Sequence, residues 1–196
     1  MSNPAGDDEA PGWDAIDQAI TPIVGSTPPA HFGTGTGLPN QDGLWGISAY
    51  DLETHWFLVT YGLSELFAKV SEDAEVSGWG EELTMHTAPG SEVPEWAVRL
   101  LARLGELVFQ RGTPFLPGGR LEIPDAPSPM PPAVCWTEDD LLGAIETVNG
   151  RVQFVRTVGV TAEDIDAMRA ASTDEVLSRR RAVDPLLLWP RTDQVP

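Results

Sequence analysis

The chain has 196 residues, a formal net charge of -18 and 41% hydrophobic residues. That length fits one ordinary domain, and the absence of any run near the ~18 continuous apolar residues of a spanning helix argues against a bilayer role. Only Lys69 is a lysine, every other cation being an arginine; so acidic a chain repels nucleic acid and attracts basic proteins at long range, or serves solubility alone.

Residues 1–12 are acidic and rich in Pro and Gly, without the basic and apolar regions of a secretory signal, and read as a short disordered lead into a domain over 13–193 in a cytoplasmic protein. Trp13, Ile16, Ile20 and Val24 recur at helical spacing, and Pro22 is expected to kink or end that helix. Between His31 and Ala88, aromatic and β-branched runs cut by Gly, Pro, Asn and Asp predict strands near Phe32–Thr36, Leu44–Asp51, His55–Gly62 and Trp79–Thr87. In the third, Phe57, Val59 and Tyr61 face one way and Trp56, Leu58 and Thr60 the other, so a central strand covered on both faces is expected. The fourth, with Glu82, Thr84 and His86 on one side, reads as half-exposed.

Pro94 suits a first helical turn, and Trp96, Leu100, Leu104, Leu107 and Val108 form the stripe of the firmest helix in the chain. A strand Arg120–Ile123 follows, then the proline-rich stretch 124–132 as an extended surface loop. Val134–Thr137 and Arg151–Val160 read as strands, the second with Val152, Phe154, Val158 and Val160 toward one face. Thr161-x-x-Asp164 and Ser172-x-x-Glu175 have capping-box spacing. Arg179-Arg180-Arg181 suits a helix C-terminus, where cations complement the dipole, better than a nucleic-acid contact. Leu186–Leu188 reads as a last short strand.

The search for chemistry is largely negative. No P-loop, zinc-protease, nucleophile-elbow or dinucleotide motif is present. The glycine-rich run Phe32–Gly37 leads toward Pro39 rather than into a helix and reads as a turn or bulge. Cys135 is the lone cysteine, so no disulfide and no cysteine-based metal site is expected, and it reads as a packed hydrophobe. His31, His55 and His86 have no ligand-like spacing. Glu81 and Glu82 point to opposite faces and cannot act as a carboxylate pair. No enzyme and no cofactor or metal is expected; a hydrolase using Asp51, His55 and Glu82 is the competing class, and a scaffold assembling through an edge strand is a third.

The run His55-Trp56-Phe57-Leu58-Val59-Thr60-Tyr61-Gly62-Leu63-Ser64-Glu65-Leu66-Phe67, followed by Ser77-Gly78-Trp79-Gly80-Glu81-Glu82-Leu83-Thr84, resembles the central signature of the Suppressor of fused domain. The likeness extends through the Trp96–Gln110 helix, through Val152–Val160 with Thr161-x-Glu163-x-x-Asp166, and to Val183-Asp184-Pro185-Leu186-Leu187-Leu188, where Trp189-Pro190 replaces the family's usual ending. It implies an α+β fold, a mixed, largely antiparallel sheet packed by helices as an α/β sandwich, acting as a protein-binding module. In animals the family restrains zinc-finger transcription factors by gripping a peptide as an added strand between two domains. This chain stops after the first domain, and such a client is not expected. Arg-rich, Lys-poor usage suggests a high-GC bacterium, for which the resemblance implies an immunity protein that neutralises a toxin, here a basic one. By the same resemblance the binding surface is expected near Tyr61, Ser64, Glu65 and Phe67 with Ser77, Gly78 and Trp79. Trp79 is equally readable as core, and Gly78 is explained by backbone geometry.

Overall fold

The computed structural model describes residues 10–34 and 43–190. They build one eight-stranded sheet with helices on both faces, the architecture expected when each strand must bury two sides. In chain order the elements are α1 (Pro11–Val24), β1 (Ala30–Gly33), β2 (Gly46–Asp51), β3 (Trp56–Tyr61), β4 (Val76–Thr87), α2 (Glu95–Arg111), β5 (Arg120–Glu122), β6 (Ala133–Glu138), β7 (Ala144–Thr147), β8 (Gly150–Val160), α3 (Ala162–Ala170) and α4 (Thr173–Arg181). The strand order is β1-β2-β3-β4-β8-β6-β5, with β7 paired to β8. Only the β4–β8 pair is parallel. The sheet is therefore mixed and largely antiparallel, as the resemblance implied.

Strand alternation sorts the core into layers. Trp56, Leu58, Leu83, Met85, Val134, Trp136 and Val155 face α2, whose Trp96, Leu100, Leu101, Leu104 and Val108 supply the other half of that layer. Each such aliphatic side chain contributes about 1.5–3 kcal/mol by leaving water. On the opposite face, Phe57, Val59, Tyr61 and Phe154 meet Ile16, Ile20 and Val24 of α1, while Ala133, Cys135, Val158 and Val160 meet α3 and α4. β3 is buried along its whole length, which bears out the central-strand reading.

Several expectations are corrected. β4 begins at Val76, three residues earlier than predicted, and is not half-exposed: Glu81, Glu82, Thr84 and His86 are all buried. The reason is that β3 and β8 flank it while helices cover both of its faces. β1 is Ala30–Gly33, and the remainder of the Phe32–Gly37 reading, beyond Thr34, lies outside the described residues. β7 was not anticipated. Leu186–Leu188 forms no strand; Asp184 instead accepts N–H bonds from Leu186 at 3.1 Å and Leu188 at 2.6 Å, and a single bridge joins Thr87 to Trp189.

The helix ends follow from their sequences. α1 starts with Pro11 at its first turn and ends two residues after Pro22. Of the expected lead, residues 1–9 lie outside the described residues, whereas Pro11 and Gly12 belong to the helix. Thr161 and Asp164 complete a reciprocal capping box on α3, and Ser172 caps α4 through the Glu175 N–H. Arg179, Arg180 and Arg181 occupy the last turn of α4 and are spoken for within the fold. Arg179 approaches Glu175, Arg180 donates to the Gly159 carbonyl at 2.9 Å, and Arg181 pairs with Asp140 at 3.0 Å. No described helix is long and apolar enough to cross a membrane.

Candidate functional site

The segment joining β3 to β4, residues 62–75, contains no regular element and is held by a dense set of side-chain-to-backbone bonds. Two carboxylates organise it. Glu82, fully buried on β4, accepts from the Gly62 and Ser64 N–H groups, both at 2.9 Å, from the Ser64 hydroxyl at 2.7 Å and from the Thr60 hydroxyl at 2.6 Å. Burial outweighs the pull of those donors and leaves its carboxyl pushed up to about 7. Every contact comes from a donor, the pattern that an ionised carboxylate requires.

Glu65 does the same work farther along. It accepts from the Val70 N–H at 2.6 Å, the Ser71 N–H at 2.5 Å and the Gly78 N–H at 3.1 Å, and it pairs with Lys69 at 3.2 Å. Burial raises its pKa, but these bonds prevail and hold it below the usual carboxylate range. The Ser77 hydroxyl accepts the Glu65 N–H at 2.9 Å. Asn149, at the β7–β8 turn, donates to the Glu65 carbonyl at 2.8 Å and so ties the segment to the next strand pair. The start of α1 docks here too: the Gly12 and Trp13 N–H groups donate to the Leu66 carbonyl at 2.9 and 3.3 Å. A Cβ on Gly12 would lie 2.2 Å from the Glu65 carbonyl oxygen, so only glycine permits that approach.

A cavity of about 330 Å³ opens beside this segment at the end of the sheet. Its walls include Trp45, Phe67, Trp79 and Phe109, all half-buried, with Glu65 and Val70. Trp79 meets Phe109 edge-on at 5.9 Å, and Trp45 meets Phe67 at 5.2 Å. The first pair belongs to the α2-side layer and the second to the α1-side layer. The cavity is thus where both layers reach the surface together.

Of the residues expected at a binding surface, Ser64, Glu65, Phe67, Gly78 and Trp79 line this cavity. Tyr61 and Ser77 do not line it. Tyr61 is wholly buried, stacked under Trp13 at 4.4 Å with its hydroxyl donating to Asp17 at 2.7 Å, and Ser77 is equally buried. Ser64 is buried as well, so Tyr61, Ser64 and Ser77 build the segment rather than present themselves. Gly78, at φ 57°, takes a left-handed conformation that brings its N–H to Glu65. Trp45 and Phe109 complete the aromatic wall and were not anticipated as site residues.

The candidate hydrolase set is not brought together. Asp51 is exposed and accepts the Glu53 N–H at 2.9 Å. His55 precedes β3 at the end where Trp56 pairs with Thr87, while Glu82 lies five residues farther along β4, roughly 17 Å away at strand rise. Glu81 faces α2 rather than Glu82's side and accepts the Phe115 N–H at 2.9 Å, its carboxyl pushed by burial up to about 8. Among the described residues no group of three or more His, Cys, Asp or Glu side chains could hold a metal ion.

Comparison with known proteins places this geometry. The family model described as Suppressor of fused protein (SUFU) matches residues 40–190. The human Suppressor of fused homolog is 27% identical over 152 residues, which span 70% of this chain and 31% of the human protein, and the mouse homolog matches equally. The chain therefore spans less than a third of the length of these relatives. In fold, it is similar to a chain of the Sufu-Fu complex crystal structure, with TM-score 0.76 and 24% identity over 88% of this chain and 85% of that one. Drosophila Suppressor of Fused gives TM-score 0.76 over 92% of this chain and 49% of that one. A Suppressor of fused homolog from Neisseria gonorrhoeae gives TM-score 0.59 at 13% identity, covering 90% of this chain and 92% of that one.

Proposed function

The chain belongs to the Suppressor of fused family, and from that premise we propose that it is a protein-binding module whose partner seats an apolar side chain in the cavity between Phe67 and Trp79. The observation that carries this reading is the aromatic wall of Trp45, Phe67, Trp79 and Phe109 beside a segment held rigid by Glu65 and Glu82. Half-exposed aromatics on a preorganised frame are the anchors that dominate protein interfaces. One similar chain is itself in a complex, the Sufu-Fu complex, which lends support.

The finer reading is an immunity role in a bacterial cytoplasm, with a basic toxin as the partner. The net charge of -18 supports it, since such a field accelerates encounter with a cationic protein and weakens with salt. A purified chain and its Phe67→Ala and Trp79→Ala variants, used as baits on native lysate at low and physiological salt, test it. Recovery of one stoichiometric basic protein by the unmodified bait, lost from folded variants and reduced by salt, is the expected outcome. Equal recovery by both variants would move the binding surface elsewhere.

A second reading has one observation behind it. β1 is a terminal strand of the sheet, with its outer edge facing no other described strand, and such an edge can pair with a second copy. Light scattering across concentration separates the two, since a binder of other proteins stays at the mass of one chain.

A further inference from the structure

The face of the sheet covered by α1 on one side and by α3 and α4 on the other has a polar seam between them. Arg156 of β8 lies there, flanked along the strand by Phe154 of the α1 layer and Val158 of the α3–α4 layer. It is 2% exposed, its Nη2 has no protein partner, and it makes no ion pair among the described residues. Arg156 sits opposite Thr84 in the parallel pair, and His86, the next residue of β4 on that face, is at the diagonal distance that a long side chain spans. His86 is also 2% exposed, and neither of its ring nitrogens is bonded. It stacks on His55 at 4.9 Å and 24°, and the His55 Nε2 is buried without a partner too.

The nearby carboxylates are engaged elsewhere. Asp139 accepts from the Thr84 hydroxyl at 2.5 Å and from the Leu141 and Leu142 N–H groups; Asp140 is paired with Arg181; Asp184 holds the Leu186 and Leu188 N–H groups. The His55 Nδ1 has the Thr54 hydroxyl at 2.9 Å, whereas the Arg156 guanidinium and the His86 imidazole are buried without an acceptor, which is costly, and the arginine's charge disfavours a cation as their ligand. With all three side chains at most 7% exposed, only a compact ligand fits. We propose that the seam holds one small inorganic anion of chloride size, which accepts hydrogen bonds from Arg156 and from a His86 N–H while His55 fixes the ring by stacking.

Binding couples to protonation. Burial, and after it the Arg156 charge, lowers the pKa of both histidines, which favours their neutral forms without the anion. An anion beside Arg156 relieves that repulsion. Protons are then taken up on binding, and affinity rises as pH falls, with Arg181, Asp139, Asp140 and Asp184 the fixed charges that face the same groups.

The test is a crystal of the full chain soaked in bromide, with melting curves in chloride, bromide and gluconate at equal ionic strength. The expected result is an anomalous bromide peak within hydrogen-bond distance of Arg156 and His86. The halides should also raise the melting temperature over gluconate by roughly 3–5 °C, by more near pH 5.5 than at pH 8, and His86→Phe should abolish that difference. Water density without anomalous signal, or melting temperatures that follow ionic strength alone or shift equally in His86→Phe, would overturn the proposal.

Discussion

Glu82 and His86 lie on the same face of β4 and are equally buried, yet their surroundings are opposites. Glu82 has donors for both carboxylate oxygens, and through them it dictates the path of the Gly62–Ser64 backbone toward the cavity. His86 has no protein partner for either nitrogen and packs against the rings of His55 and Phe57. The difference teaches that burial of a polar residue carries no single meaning. At one end of the strand it specifies a conformation, because each group is satisfied and no alternative arrangement satisfies all of them; at the other it leaves capacity for something that is not protein.

The largest expected effect lies at the satisfied end. Glu82→Leu leaves the Gly62 and Ser64 N–H groups and two hydroxyls without their acceptor, and should cost about 3–5 kcal/mol in urea unfolding. A loss below about 1 kcal/mol would show that the network is replaceable. Gly12→Ala presses a methyl group onto the Glu65 carbonyl and should cost about 2 kcal/mol. It should also loosen α1 from the segment, seen as faster amide exchange at Trp13 and Leu66.

pH sharpens the contrast next. Glu81, with one donor, is pushed up to about 8 in the folded chain from an ordinary value of 4.5. Because the folded value is the higher one, the folded state binds the proton more tightly. The associated stability is complete below the unfolded value and is lost as pH rises through the folded one. Stability should therefore drop by about 2 kcal/mol between pH 6 and pH 8.5. Glu81→Gln should remove that share of the drop, whereas the share from Glu82, itself raised to about 7, and the general repulsion of the acidic chain persist in both proteins. At the unsatisfied end, His86→Phe should change stability by less than about 1 kcal/mol when halide is absent, since no protein bond is broken. Smallest of all, Arg103→Ala removes a surface pair to Glu106 at 2.7 Å and should alter stability by about 0.3 kcal/mol.

Much of this frame was legible in the residues. α2 announced itself through the spacing of Trp96, Leu100, Leu104 and Val108, and β3 through two apolar faces. β4 misled because Glu81, Glu82, Thr84 and His86 are the side chains of a wet strand by composition, and only the tertiary layers bury them. β7 was invisible since Ala144–Thr147 is short and offers a single large apolar residue. Glu65, Phe67 and Trp79, which line the cavity, were expected at a binding surface through the family signature. Trp45 and Phe109 had no local signal, because what recruits them is the meeting of β2 and the end of α2 over the same cavity.

The one parallel strand pair among the described strands, β4–β8, also governs how the molecule is assembled. β4 meets β8 only after α2, β5, β6 and β7 have been laid down between them, so the centre of the sheet is sealed by contacts remote in sequence. Loop closure must precede the contacts that reward it, and folding is correspondingly slow and late to commit. A nascent chain emerging as far as α2 holds a β1–β4 meander with an open edge at β4, the stretch most in need of shielding until β8 arrives to cover it.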